Sequence, residues 1–136
     1  DLGAEPFLIA TSILCSLAQR LVRVLCPHCK IKATPTDFQL NLIGVSRQQA
    51  ATANICKGIG CAQCNQKGYL GRTIIAEMLM MNDEIRSLIM QRKDGNSIRK
   101  AAIINGMITF RDHGIQKVLS GITTIEELLS NTQLDM

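Results

Sequence analysis

The sequence predicts a mainly α-helical chain with a short β element, and three observations carry that prediction. The apolar fraction of 46% comes mostly from Ile, Leu, Ala and Met, with no Trp, one Tyr and three Phe; such a composition suits helices packed on helices better than aromatic-rich strands. Apolar residues recur at three-to-four spacing at both ends of the chain. Helix-start signatures, a small polar residue followed three positions later by Glu, Gln or Asp, recur through the middle and the tail. At 136 residues the chain is one domain's worth, long enough to bury a core.

Glu5-Pro6 followed by Phe7, Ala10, Leu14, Leu17, Leu21 and Leu25 predicts a helix from about Pro6 to Leu25, with Pro in its first turn. Gln19, Arg20 and Arg23 make its polar face. Pro27 removes a backbone donor and disfavours helical geometry at Cys26, so the helix ends there. Thr34-Pro35-Thr36-Asp37 and Ser46-Arg47-Gln48-Gln49 predict two short helices, the first closed by Gly44. Leu40, Leu42, Ile43 and Val45 are too few for an independent core, so metal binding is expected to supply the stability these short helices lack. From Ile55 the chain is extended and Gly-punctuated, with Gly58, Gly60 and Gly68 available for positive φ angles. A strand through Arg72 to Leu79, within the stretch from Tyr69 to Met81, follows.

Four helices complete the prediction. Asn82 caps the first, over Ile85, Leu88 and Ile89, with Asp83 and Glu84 suited to the dipole in its first turn. Asn96 or Ser97 starts the second, which carries Ile98, Ala101, Ala102 and Ile103 and closes at Gly106. The third runs from about Thr109 to Ser120 and stops at Gly121. Thr124 starts the fourth, with Glu127 completing a capping box ahead of Leu128 and Leu129.

Six cysteines set the chemistry. Cys26-Pro27-His28-Cys29 and Cys61-Ala62-Gln63-Cys64 are two Cys-x-x-Cys knuckles on either side of a helical insert. Each knuckle offers two thiolates through a tight turn, and four satisfy one tetrahedral zinc ion, which is redox-silent and prefers sulfur. An all-thiolate shell leaves no open position, so the site predicted at Cys26, Cys29, Cys61 and Cys64 is structural. The other readings are a set of buried free thiols and a redox dithiol, against which the second knuckle argues. Cys56 is a rival ligand outside the knuckle geometry, and His28, within the first knuckle, is placed toward solvent or behind the ligands.

Charge and hydropathy exclude other classes. The net charge of +4 is modest, and Lys30, Lys32, Arg47, Lys57, Lys67 and Arg72 stand against the single acid Asp37 where four thiolates on Zn²⁺ would leave a negative centre. A nucleic-acid reader would add stacking aromatics or a recognition helix, and aromatics are few beside those lysines, Phe38 and Tyr69. The apolar run near the start is broken by Thr11, Ser12, Ser16, Gln19, Arg20 and Arg23, so it is not a membrane span, and no basic n-region marks a signal peptide. Cysteine pairs without export features favour a reducing compartment, the cytosol. No phosphate loop and no nucleophile–base motif is present, so no catalytic or cofactor-binding residue is assigned. Arg111-Asp112-His113-Gly114 reads as a solvated helix face or a local ion pair. The opening on Asp1, without an initiator Met, suggests a piece of a longer protein.

Gln19-Arg20-Leu21-Val22-Arg23, the two knuckles, and Gly68-Tyr69-Leu70-Gly71-Arg72-Thr73 together resemble the C-terminal part of the ATPases that drive type II secretion and type IV pilus assembly. The likeness extends to Gly3-Ala4-Glu5-Pro6-Phe7-Leu8, to the stretch from Met107 to Gly114, and to Gly121-Ile122-Thr123-Thr124-Ile125-Glu126-Glu127. Ile74 departs from the family, where a Gly usually follows Gly-Arg-Thr. The resemblance implies the C-terminal part of a RecA-like P-loop NTPase domain carrying a tetracysteine zinc-binding insert and a helical tail. Residues 1–25 would belong to the core, 26–68 to the zinc subdomain, and 69–136 to the return strand and helical bundle. It implies a homohexamer at the cytoplasmic face of the bacterial inner membrane, associated only peripherally and acting on inner-membrane platform proteins, with no nucleic-acid partner. ATP and Mg²⁺ would be bound by the full-length parent through motifs upstream of Asp1, so this polypeptide alone is expected to be inactive. A zinc-ribbon nucleic-acid-binding module and a chaperone-type zinc module are the alternatives.

Overall fold

The computed structural model describes residues 2–132; Asp1 and the last four residues of the tail lie outside it. Helix α1, Pro6–Ser12, starts at Pro as expected, but the long helix predicted to Leu25 is not there. Cys15–Leu25 is strand β1, and it pairs with strand β4, Tyr69–Met80. Cys26 N–H donates to Gly68 O at 3.0 Å and Met81 N–H to Leu14 O at 3.0 Å, so the two strands run antiparallel. The architecture is thus mixed α/β rather than mainly α. The leucines that suggested a helical stripe, Leu14, Leu17 and Leu21, are 76%, 54% and 54% exposed, while Val22 and Leu25 are the ones buried.

A second, smaller antiparallel pair is formed by β2, Lys30–Lys32, and β3, Cys56–Gly58. Between them lie α2, Asp37–Ile43, and α3, Arg47–Thr52. Both insert helices carry full capping boxes, at Thr36 with Gln39 and at Ser46 with Gln49. The first cap is therefore Thr36 rather than Thr34; Gly44, at φ 70, closes α2 as expected. A 3₁₀ turn spans Ala62–Cys64. After β4 come α4, Asp83–Met90, α5, Gly95–Ile104, α6, Phe110–Leu119, and α7, Ile125–Thr132. Asn82 caps α4 by accepting from Ile85 N–H at 2.8 Å, whereas α5 begins earlier than expected, after Asp94.

The chain divides into two compact units. One comprises the residues up to Ala18 with Ala76–Thr109. Its core is Ile85, Ala101 and Ala102, with Leu79, Leu88, Ile89, Ile98 and Met107 packed around them. Arg86 Nε donates to Ala10 O at 3.1 Å, tying α4 to α1, and Asn105 Nδ2 donates to Glu84 Oε2 at 2.7 Å.

The other unit takes Gln19–Ile75 and the chain from Phe110 onward. Its core joins Val22 of β1 and Ile75 of β4 to Leu40, Ile43, Val45 and Ile55 of the insert and to Phe110, Val118, Ile125 and Leu128 of the tail. The insert is therefore not without a core. Its four apolar contributors share one with α6 and α7, each stabilising by about 1.5–3 kcal/mol. Asn54 N–H to Leu119 O at 2.9 Å and Leu25 N–H to Ile122 O at 2.8 Å fix the same arrangement through the backbone.

Candidate metal centre

Four sulfurs converge where the insert meets the ends of β1 and β4. The ligand atoms of Cys26, Cys29, Cys61 and Cys64 all lie within 4.8 Å of one another. Cys26 Sγ is 3.8 Å from Cys61 Sγ, Cys29 Sγ is 3.8 Å from Cys64 Sγ, and Cys61 Sγ is 3.7 Å from Cys64 Sγ. A regular tetrahedron with metal–sulfur bonds of about 2.3 Å has sulfur-to-sulfur edges of about 3.8 Å, so these spacings fit a single tetrahedral ion. The four cysteines are positioned to bind a metal ion, and each knuckle supplies two of them.

The local chain explains why the sulfurs point inward. In the first knuckle, Cys29 N–H and Lys30 N–H both donate to Cys26 O, at 3.3 and 3.0 Å, closing a turn whose exposed middle is Pro27 and His28. In the second, Cys64 N–H donates to Cys61 O at 3.3 Å through the 3₁₀ turn. The chain leaves it through Asn65 and Gln66, both at positive φ, 51 and 64. The sequence offered glycines for such angles, yet only Gly60 and Gly68 of the expected three have them. Gly58 has a different duty. A Cβ there would lie 2.2 Å from Gly68 O, so its bare Cα is what lets β3 abut the second knuckle.

Gly68 is the residue that sequence reasoning undervalued. Its N–H donates to Cys64 Sγ at 3.2 Å, while its carbonyl accepts from Cys26 N–H at 3.0 Å, linking the two knuckles through one residue. Cys61 N–H adds a second bond to Cys64 Sγ at 3.3 Å. Burial pushes the Cys64 thiol up, but these two amides together with the Cys61 and Cys29 thiols outweigh it and bring it down toward the thiolate a metal requires. The Cys29 thiol is pushed up by burial. Lys30 pairs with Gly58 across the β2–β3 ladder, and its ammonium donates to Gly121 O at 3.2 Å.

The other candidates fall elsewhere. Cys56 is buried, and its thiol donates to Asn54 O at 3.4 Å, outside the four-sulfur group; His28 is exposed and also outside it. Gln19, Arg20 and Arg23 lie on β1 rather than on a helix face. The Arg20 guanidinium donates to Asn131 O at 2.8 Å and lies 4.2 Å from the Phe110 ring centre. Arg111 donates to Leu42 O and Thr132 O, both at 3.3 Å, so it braces the tail.

Arg23 clamps β1 onto α7. Its backbone N–H donates to Glu127 Oε1 at 2.9 Å, its Nε donates to Oε2 at 3.0 Å, and its guanidinium covers the Tyr69 ring at 4.1 Å. Thr124 Oγ1 accepts Glu127 N–H at 3.1 Å as the expected cap, but the Glu127 carboxylate faces Arg23. Burial pushes the Glu127 carboxyl up, and the Arg23 donors outweigh it and hold it below its ordinary range. Its contribution is therefore complete above the ordinary glutamate value of about 4.3. That contribution is lost as pH falls through the lower folded value. Glu127→Gln is expected to cost about 1–2 kcal/mol near neutral pH, discounted for the half-exposed guanidinium. Urea unfolding should show the gap to the parent shrinking at pH 3; an equal gap at both pH values would mean that charge is not its source.

A family model described as Type II/IV secretion system protein matches residues 1–130. The chain belongs to this family. Among relatives in the family, the chain is 42% identical over 97% of its length to a type IV pilus assembly ATPase PilB of Thermus thermophilus. It is 43% identical over 98% of its length to a type II secretion system protein E of Pseudomonas aeruginosa, and 39% identical over 98% to a type II secretion system ATPase E of Vibrio cholerae. It spans 15% of the first relative's length and 26% of each of the other two. Among the described residues, no helix is long and apolar enough to cross a membrane.

Proposed function

We propose that this chain is the C-terminal part of the motor ATPase subunit of a type II secretion or type IV pilus machine, stapled by a structural zinc ion at Cys26, Cys29, Cys61 and Cys64. The observation that carries the reading is the family match across residues 1–130, joined to four sulfurs at tetrahedral spacing. Residues 1–25 join the RecA-like motor core, 26–68 form the zinc subdomain, and 69–136 form the return strand and helical tail. The parent supplies ATP and Mg²⁺ sites, assembles as a homohexamer on the cytoplasmic face of the inner membrane, and works on inner-membrane platform proteins. When bound, zinc supplies cross-linking only, since a shell of four thiolates has no position for substrate. The residues of this chain therefore serve shape: the knuckles fix the insert, and the shared core fixes the tail to it.

The test uses the full-length protein. ATP turnover and particle mass are measured for the parent and for Cys26→Ser with Cys64→Ser. The parent is expected to hydrolyse ATP as a hexamer, and the variant to lose most of that turnover together with its zinc. A full-length protein that hydrolyses no ATP and instead shifts DNA or RNA at low salt would overturn the motor reading in favour of a nucleic-acid module.

A further inference from the structure

The four sulfurs are not equivalent. Cys26, Cys29 and Cys64 are 0%, 5% and 3% exposed, whereas Cys61 is only half-buried. Cys64 Sγ accepts two backbone N–H bonds, from Cys61 and Gly68. Cys61 Sγ lies beside the sulfurs of Cys26 and Cys64, at 3.8 and 3.7 Å. Oxidation of a thiolate follows its exposure and the charge left on its sulfur, and metal coordination keeps a thiol deprotonated outright. The most reactive sulfur and two sulfurs able to capture its oxidised form therefore sit together.

We propose that Cys61 is an oxidation site, the entry point through which hydrogen peroxide opens the metal centre; this rests on the zinc reading above. In the first step the Cys61 thiolate attacks one peroxide oxygen. An S–O bond forms, the O–O bond breaks, and hydroxide leaves, giving a sulfenic acid at Cys61. In the second step the thiolate of Cys26 or Cys64 attacks the Cys61 sulfur, an S–S bond forms, and a second hydroxide leaves. Two thiolates are thereby oxidised by two electrons and one peroxide is reduced to two hydroxide ions, which take protons from solvent. Two sulfur ligands remain, too few to hold the ion. The consequence reaches the strand pair, because Gly68 bonds to Cys64 Sγ through its N–H and to Cys26 N–H through its carbonyl.

The experiment uses the full chain carrying Cys15→Ser, which removes an exposed thiol lying outside the centre. Hydrogen peroxide is added, zinc release is followed with a chromophoric chelator, sulfenic acid is trapped with a cyclic dione, and the disulfide is located by mass spectrometry. The expected result is trapping at Cys61, a first disulfide joining Cys61 to Cys26 or Cys64, and rebinding of zinc after reduction by a dithiol. Cys61→His, which keeps a nitrogen ligand, should retain zinc and release it at least ~10-fold more slowly. Trapping at another cysteine, or a first disulfide that excludes Cys61, would overturn the proposal on the parent alone, whether or not the His variant folds. A His variant releasing zinc at the parent's rate would do the same. A parent purified without zinc would overturn the metal reading itself and this proposal with it.

Discussion

Stripping the metal with a strong chelator is expected to lower the melting temperature by more than ~10 °C and to disorder the knuckles while leaving α2 docked. A ligand held at about a thousand times its dissociation constant stabilises the state that binds it by about 4 kcal/mol. For a chain of this size each kcal/mol moves the midpoint by roughly 4 °C. The loss should be local because support is divided. Cys29, Lys30, Cys64, Gln66 and Lys67 donate amides within turns that only the knuckles organise, whereas Leu40 and Ile43 are buried against the tail. Hydrogen exchange should therefore show those knuckle amides unprotected and the amides of Leu40 and Ala50 little changed. Cys26→Ser with Cys64→Ser should reproduce the pattern. Unchanged melting in a chelated sample whose elemental analysis shows no zinc would remove the metal from the account of stability.

That division was half visible in the sequence. The knuckles were legible because Cys-x-x-Cys is a local pattern whose chemistry does not depend on distant partners, and the insert helices because their capping boxes are four residues long. Strand β1 was not. Leu14, Leu17, Leu21 and Leu25 satisfy a helical period by themselves, and what makes the segment extended is a partner strand far along the chain, beginning at Tyr69. Non-local pairing outweighs local propensity here. The β-branched residues Val22 and Val24 were the available hint, and they stand opposite a strand that carries Thr73, Ile74 and Ile75. The insert's debt to the tail was hidden for the same reason, since Leu40 and Phe110 meet only in three dimensions. The Arg23–Glu127 pairing was likewise beyond a local reading, which assigned the acid to its helix cap.

The most damaging single change at the site should be one that leaves every cysteine in place. Gly58→Ala puts a Cβ 2.2 Å from Gly68 O, 2.7 Å from its Cα and 2.8 Å from its carbonyl carbon. These are backbone atoms, so no rotamer can yield, and β3 must part from the second knuckle. Gly68 cannot retreat freely, because its N–H is on Cys64 Sγ and its carbonyl on Cys26 N–H. Displacing it strains both knuckles at once. The expected cost is at least ~3 kcal/mol, at the upper end for overpacking. Zinc affinity should fall about 10–100-fold, as for loss of a group that orients a ligand. Gly71→Ala is the comparison: unlike Gly58 it lies at positive φ, 82, but has nothing within 4 Å of its Cβ. It should cost only the backbone strain of about 1–2 kcal/mol and leave zinc stoichiometry unchanged. Melting curves and competitive zinc titration of the two variants decide the matter. A Gly58→Ala chain that melts with the parent and binds zinc as tightly would mean that the Gly58–Gly68 contact does not hold the centre together.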